Sequence, residues 1–151
     1  MKTSAAQLWI VLAKCHRAVL QHAENSIAST GLCFSDFTAL EALLHKGPMT
    51  ISEIGTKVLL TSGSMTAAID RLENRGLVVR ESVEADRRSR MIRLTKDGQE
   101  LIAPLFRKHS EDLEKLMSVL DERERQQIYG PLKKLGLAAA AQPPDTSGTE
   151  K

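Results

Sequence analysis

Residues 50–98 read TISEIGTKVLLTSGSMTAAIDRLENRGLVVRESVEADRRSRMIRLTKDG, and this stretch decides the fold. Thr50-Ile51-Ser52-Glu53 opens a helix with a capping box, in which the Thr50 hydroxyl and the Glu53 carboxylate each satisfy an amide left over at a helix start. That helix is brief and ends near Leu60. A polar turn, Thr61-Ser62-Gly63-Ser64, leads into a second helix from about Ser62 to Arg75, with Met65, Ala68, Ile69 and Leu72 inward at i, i+3, i+4 and i+7. Gly76 closes it. An extended run, Leu77-Val78-Val79-Arg80, then a charged turn from Glu84 to Ser89 and an alternating run from Arg90 to Leu94 form a β-hairpin. Two short helices followed by an arginine-tipped hairpin make a winged helix-turn-helix, a shape able to enter one DNA groove and touch the next.

Upstream, Ser35 is placed to cap a helix running to Lys46, with Phe37, Leu40, Leu43 and Leu44 on one face. Gly47-Pro48 stops it, and Met49-Thr50-Ile51 supplies a short edge strand. Residues 3–29 read as one long helix. Its apolar stripe of Leu8, Val11, Leu12, Cys15, Val19 and His22, widened by Trp9 and Ile10, is broader than one small core needs. Downstream, Thr95 caps a helix through about Leu120 carrying Leu101, Ile102, Leu105, Phe106, Leu113 and Leu116, with a kink expected at Pro104. Asp121 opens a last helix to about Leu137, and residues 138–151 are expected to be a disordered tail. The fold class is therefore mainly α with a small β-hairpin wing: a winged helix-turn-helix at 35–95 flanked by helical segments at 1–34 and 96–137.

Composition narrows the function classes. The 151 residues are 42% hydrophobic and 26% charged, with only 3% aromatics, so the core must be aliphatic and helical. The net charge of +2 is too mild to announce a polyanion partner, but its distribution is uneven: five basic residues against one acid from Asp86 to Lys96, and six acids against three bases from Glu111 to Arg125. No signal core or membrane-length apolar run is present, so a cytoplasmic protein with no membrane partner is expected. The cysteines, Cys15 and Cys33, do not form a secreted disulfide framework. Neither they nor His16, His22, His45 and His109 sit in a nucleophile turn, a phosphate-cradling glycine loop or a metal-spaced cluster, so no enzyme, cofactor or metal is expected. His45 and His109 read as exposed helix-surface residues.

The chemistry lies on the outward face of the 62–75 helix. Ser62, Gly63, Ser64, Thr66 and Ala67 are small and hydroxylic, which lets a helix sink into a major groove and hydrogen-bond phosphates or base edges. Arg71 has the length to reach a guanine or a phosphate. At the hairpin tip, Arg87, Arg88 and Arg90 suit a narrow minor groove, where negative potential is enhanced. Asp86 would brace one of them. Asp70 repels phosphate and is expected to pair with a wing arginine, coupling wing to helix.

Thr50 to Ile102 resembles the winged helix-turn-helix of the MarR (multiple antibiotic resistance regulator) family of bacterial transcription regulators. The matching strings are TISEIGTKVLLTSGSMTAAIDRLENRGLVVRE and DRRSRMIRLTKDG. In the second, Asp86, Arg88, Leu94, Thr95 and Gly98 match the family's wing pattern of an Asp-x-Arg turn and a strand ending in Leu-Thr before a Gly. The resemblance extends over roughly residues 5–137. It implies a two-fold homodimer, with 1–34 and 96–137 as the dimerisation region. Such a dimer reads a pseudo-palindromic double-stranded DNA site with recognition helices about one turn, ~10 bp, apart.

The resemblance also implies release of DNA by a small aromatic effector or an oxidant. A crevice lined by His16, Arg17, Leu20, Phe37 and Leu40 is one candidate input, although the same residues could simply pack a helix junction. Oxidation of Cys15 or Cys33 is the other. Cys15 lies on the apolar stripe, which favours an inert buried thiol, whereas Cys33 lies in a loop before a helix. The alternatives are a thiol-based redox sensor of the same family and a winged-helix protein-interaction module that does not touch DNA.

Overall fold

A computed structural model of the chain describes residues 2–58, 62–83 and 86–141, with the backbone alone for Ser62, Val83 and residues 86–89. The chain divides into two compact units, Met1–Leu113 and Glu114–Lys151. The first holds α1 (Ala5–Ala28), α2 (Phe34–Lys46), β1 (Met49–Thr50), α3 (Ile51–Val58), α4 (Ser62–Asn74), β2 (Val78–Val83), β3 (Asp86–Leu94) and most of α5 (Lys96–Met117). The second holds the end of α5 and α6 (Glu122–Ala140). None of the described helices is long and apolar enough to cross a membrane.

Local chemistry sets the elements of the first unit. Ser4 and Gln7 form a capping box that starts α1. The predicted box at α3 is present, with the Thr50 amide donating to Glu53 Oε2 at 2.8 Å and the Glu53 amide to Thr50 Oγ1 at 3.2 Å. One cap differs from expectation. Cys33, not Ser35, takes the N-cap position of α2, in extended backbone and without a side-chain capping bond. Ser35 therefore lies inside the first turn, beside Asp36.

The three strands pair antiparallel in the order β1-β3-β2, with Met49 opposite Ile92 and Val78 opposite Leu94. The sheet and the first five helices close over a largely aliphatic core in which Phe37, Leu40, Ile54, Met65, Ile69, Leu72, Ile92 and Ile102 are fully buried. Removing this apolar surface from water is the main force holding α4 beneath the wing. At the wing's base, Thr95 donates its amide to the Leu77 carbonyl at 3.0 Å and its hydroxyl to the Gly76 carbonyl at 2.7 Å. The same hydroxyl accepts from the Gly98 amide at 3.0 Å. A Cβ on Gly98 would lie 2.0 Å from the Leu77 carbonyl oxygen, so only glycine lets α5 start this close to β2.

Helix α5 runs unbroken from Lys96 to Met117 with Pro104 inside it. His109, expected on the surface, is buried at 7% exposure. Its ring meets Phe37 edge-on at 5.1 Å, and its Nδ1 lies 3.2 Å from Ser26 Oγ, which donates to Asp112 Oδ2 at 2.8 Å. The end of α1 thus covers a face of α5 that reads as charged surface in the sequence. Cys15 corrects the opposite way: it is exposed, as are Leu8, Trp9 (66%) and Val11 (64%), because none of the described residues covers that stretch of α1.

In the second unit, Asp121 and Glu124 form a reciprocal capping box at the start of α6, and Arg125 pairs with Glu114. Helix α6 leaves Leu132, Leu135 and Leu137 exposed and continues to Ala140, into the stretch expected to be tail.

Candidate nucleic-acid interface

Helix α4 presents the face its periodicity predicts. Met65, Ala68, Ile69 and Leu72 are fully buried, while Gly63, Ser64, Thr66, Ala67, Asp70 and Asn74 are exposed on the other side. The small N-terminal half leaves room for close approach, since a Cβ at Gly63 would meet nothing within 4 Å. The side chain of Ser62 lies outside the described residues.

Asp70 is paired with an arginine of the wing's first strand. It accepts from Arg80 Nη2, and Glu73, one turn along α4, accepts from Arg80 Nη1. Arg80 stands on β2, and its hydrogen bond to Asp70 strengthens its hold on its proton. The hairpin is therefore tied to α4 at its first strand. Across the hairpin, Arg93 on β3 pairs with Glu81 on β2 and holds that carboxyl below its ordinary range.

Arg71, expected to reach DNA, has partners within the chain. Its guanidinium turns toward α2 and grips Asp36, with Nη2 2.6 Å and Nε 3.2 Å from Asp36 Oδ1. Nη2 also reaches Ser35 Oγ at 3.1 Å and Cys33 Sγ at 3.6 Å. The physical reason is a buried acid. The Asp36 side chain is only 6% exposed, and it sits in the first turn of α2, where the helix dipole favours a carboxylate but a second partner is still required. Neither Asp36 nor Arg80 stood out in the sequence. An acid in a first helical turn and two acids three residues apart on α4 were the only local signals, and neither names its distant partner.

At the wing, β2 and β3 pair from Val78–Leu94 to Ser82–Arg90, with an irregularity between Ser82 and Val83. Arg90 is exposed. The side chains of Asp86, Arg87 and Arg88 lie outside the described residues.

The residues expected to line an effector crevice are divided between core and surface. Phe37 and Leu40 are fully buried in the core and cannot line an open slot, Leu20 is half-buried, and His16 and Arg17 are exposed on α1. A cavity of about 280 Å³ opens elsewhere, between Thr38, Glu41, Ala42, His45 and Lys46 of α2 and Lys57 and Val58 of α3. Burial pushes the Glu41 carboxyl there above its ordinary range, with His45 pulling it back. The His45 ring is held edge-on against Phe106 at 4.4 Å. Cys33 is exposed, like Cys15.

Known proteins share this arrangement. The MarR family model matches residues 30–89. The HTH-type transcriptional regulator MhqR of Bacillus subtilis is 35% identical over 139 residues, covering 92% of this chain and 96% of that protein. Among solved structures, reduced AbfR bound to DNA is 27% identical with a TM-score of 0.67, over 90% of this chain and 94% of that one. BpsR of Bordetella bronchiseptica, whose DNA binding is regulated by 6-hydroxynicotinic acid, aligns with a TM-score of 0.76 at 22% identity, over 86% of this chain and 98% of that one. With its capped α3, small-faced α4 and three-stranded wing, the chain belongs to the MarR family of winged-helix, DNA-binding transcription regulators.

Proposed function

We propose that this chain is a homodimeric repressor that reads a pseudo-palindromic duplex site. In this reading α4 lies in the major groove through Ser62, Gly63, Ser64, Thr66 and Ala67, and Arg87, Arg88 and Arg90 lie against the minor groove or backbone. The observation that carries it is the exposed, small-residue half of α4 beside an arginine-bearing hairpin. Leu8, Trp9, Ile10 and Val11, each at least half exposed on α1, support a second copy as the covering partner, since monomers rarely leave such patches in water. The aromatic acid that regulates BpsR supports an effector of similar kind, and the cavity between α2 and α3, with Lys46 and Lys57 beside Glu41 on its rim, suits a single-ring acid. Occupancy would wedge α3, and with it the helix-turn-helix, away from α2.

Selection of genomic fragments by the purified protein tests this reading. Binding is expected to weaken steeply as salt rises, because neutralised phosphates release counterions, and to be relieved by phenols or aromatic acids. A flat salt response, or no fragment retained, would favour the protein-interaction alternative.

A second reading makes the input oxidative, and one observation favours Cys33 over Cys15 for it. The Cys33 sulfur is exposed and accepts from Arg71 of the recognition helix, so an adduct on Sγ would push the Arg71 guanidinium aside. Peroxide or quinone treatment would then release DNA from wild type and Cys15→Ser but not from Cys33→Ser.

A further inference from the structure

Helix α4 is fastened on both flanks of its outward face. Counting 100° per residue from the buried stripe, Arg71 falls on one flank, and Asp70 and Glu73 lie toward the other. The Asp70 and Glu73 side binds Arg80 of β2, while Arg71 binds Asp36 of α2. The two fasteners differ in what anchors them. Arg80 belongs to the wing, whereas Asp36 is nearly buried and precedes Phe37, which is fully buried in the core, so it cannot move without moving α2. Half of the Arg71 side chain is exposed, yet three groups at the start of α2 engage its guanidinium: the Asp36 carboxylate, the Ser35 hydroxyl and the Cys33 sulfur.

We propose that Asp36 is a positioning residue for DNA recognition: by gripping Arg71 it sets the tilt of α4 against the core, and Arg71 serves as the fastener and not as a reader of base or phosphate. The proposal rests on the DNA-binding reading above. It makes a prediction opposite in sign to simple electrostatics. Neutralising an acid near a polyanion favours binding on charge alone, whereas loosening a preorganised recognition helix weakens it.

The test uses the full chain carrying Asp36→Asn, Arg71→Gln or both, with affinity for a selected operator measured from about 50 to 200 mM salt, the range in which phosphate contacts register most strongly. Each single change is expected to lower affinity about tenfold, the double change no further than either single, because the two residues act as one unit. The salt slope should match that of wild type, and discrimination against a scrambled site should shrink equally in both. Asp36→Glu keeps the charge but lengthens the arm, so it covers the case in which Asp36→Asn fails to fold: affinity should fall while the folded protein persists. The proposal is overturned if Asp36→Asn or Asp36→Glu binds as well as wild type, or if Arg71→Gln reduces the slope by about 0.9, the signature of one lost phosphate contact. Wild type that binds no DNA would overturn the regulator reading and this proposal together, whereas wild type that binds beside an unaffected Asp36 variant overturns this proposal alone.

Discussion

Arg80 of β2 bonds the Asp70 carboxylate of α4, so the strand that begins the wing neutralises an acid on the exposed face of α4. Asp70 is 54% exposed, while the Arg80 side chain is 18% exposed and also holds Glu73. An ion pair this wet contributes little to stability, within about 1 kcal/mol. In the proposed reading its effect belongs to DNA binding. Arg80→Gln would leave two carboxylates facing phosphates, and one such repulsion at close range is on the order of 1 kcal/mol in water, about fivefold in affinity. The expected outcome is weakened operator binding with a nearly unchanged melting temperature. Asp70→Asn in the same protein should recover most of the loss, and a loss that persists in the double variant would mean that Arg80 contacts DNA itself.

Gly98→Ala should be severely destabilising. The new Cβ would sit 2.0 Å from the Leu77 carbonyl oxygen, and because the obstacle is backbone it has little room to yield. Overpacking of this kind costs about 3 kcal/mol, or roughly 10 °C in melting temperature for a domain of this size. Gly63→Ala is the control. It has open space around its Cβ and a helical backbone, so it should hold or raise stability by up to about 1 kcal/mol while crowding the groove face. Thermal melts of the two variants side by side check both expectations.

How far the residues alone reach is visible in which contacts are local. The Thr50–Glu53 box, the Gly76 turn and the buried stripe of α4 depend on neighbours a few positions away, and each was legible. The wing strands, read as 77–80 and 90–94, run on through Val83 and back to Asp86, because pairing across the hairpin extends them into the charged stretch expected to be turn. The Arg71–Asp36 grip joins residues 35 apart. Periodicity placed Arg71 beside the outward face, but where its long side chain goes is decided by a buried acid on another helix. His109 lies between Lys108 and Ser110 and reads as surface until the end of α1 is laid across it. Cys15 shows the converse: an apolar stripe specifies what wants covering, and the described residues leave it open.

His109 gives the protein a dependence on acid. Burial pushes its imidazole below the ordinary 6.5, with Asp112 pulling it up and His22 pushing it down. The folded state therefore binds fewer protons than the unfolded one in mildly acidic solution. The contribution of neutral His109 is present above pH 6.5 and is lost as pH falls from there toward its depressed value. His109→Gln keeps a polar group near Ser26 and cannot titrate. Denaturation midpoints measured at several values between pH 7.5 and 5 should fall more steeply for wild type than for the variant. Parallel curves would assign the acid sensitivity to other groups.

The wing arginines should behave differently from Arg71 in the same salt titration. A guanidinium that neutralises a phosphate, or enters a narrow minor groove, adds affinity for any duplex and little choice among sequences. Arg88→Ala and Arg90→Ala are each expected to reduce the slope of log affinity against log salt by about 0.9. Binding to operator and to random duplex should weaken in proportion, so that the ratio between them stays fixed. Thr66→Val, on the exposed face of α4, should do the reverse, altering that ratio while leaving the slope alone. A wing change that shifts the ratio without touching the slope would place base reading in the hairpin and remove the division of labour between helix and wing.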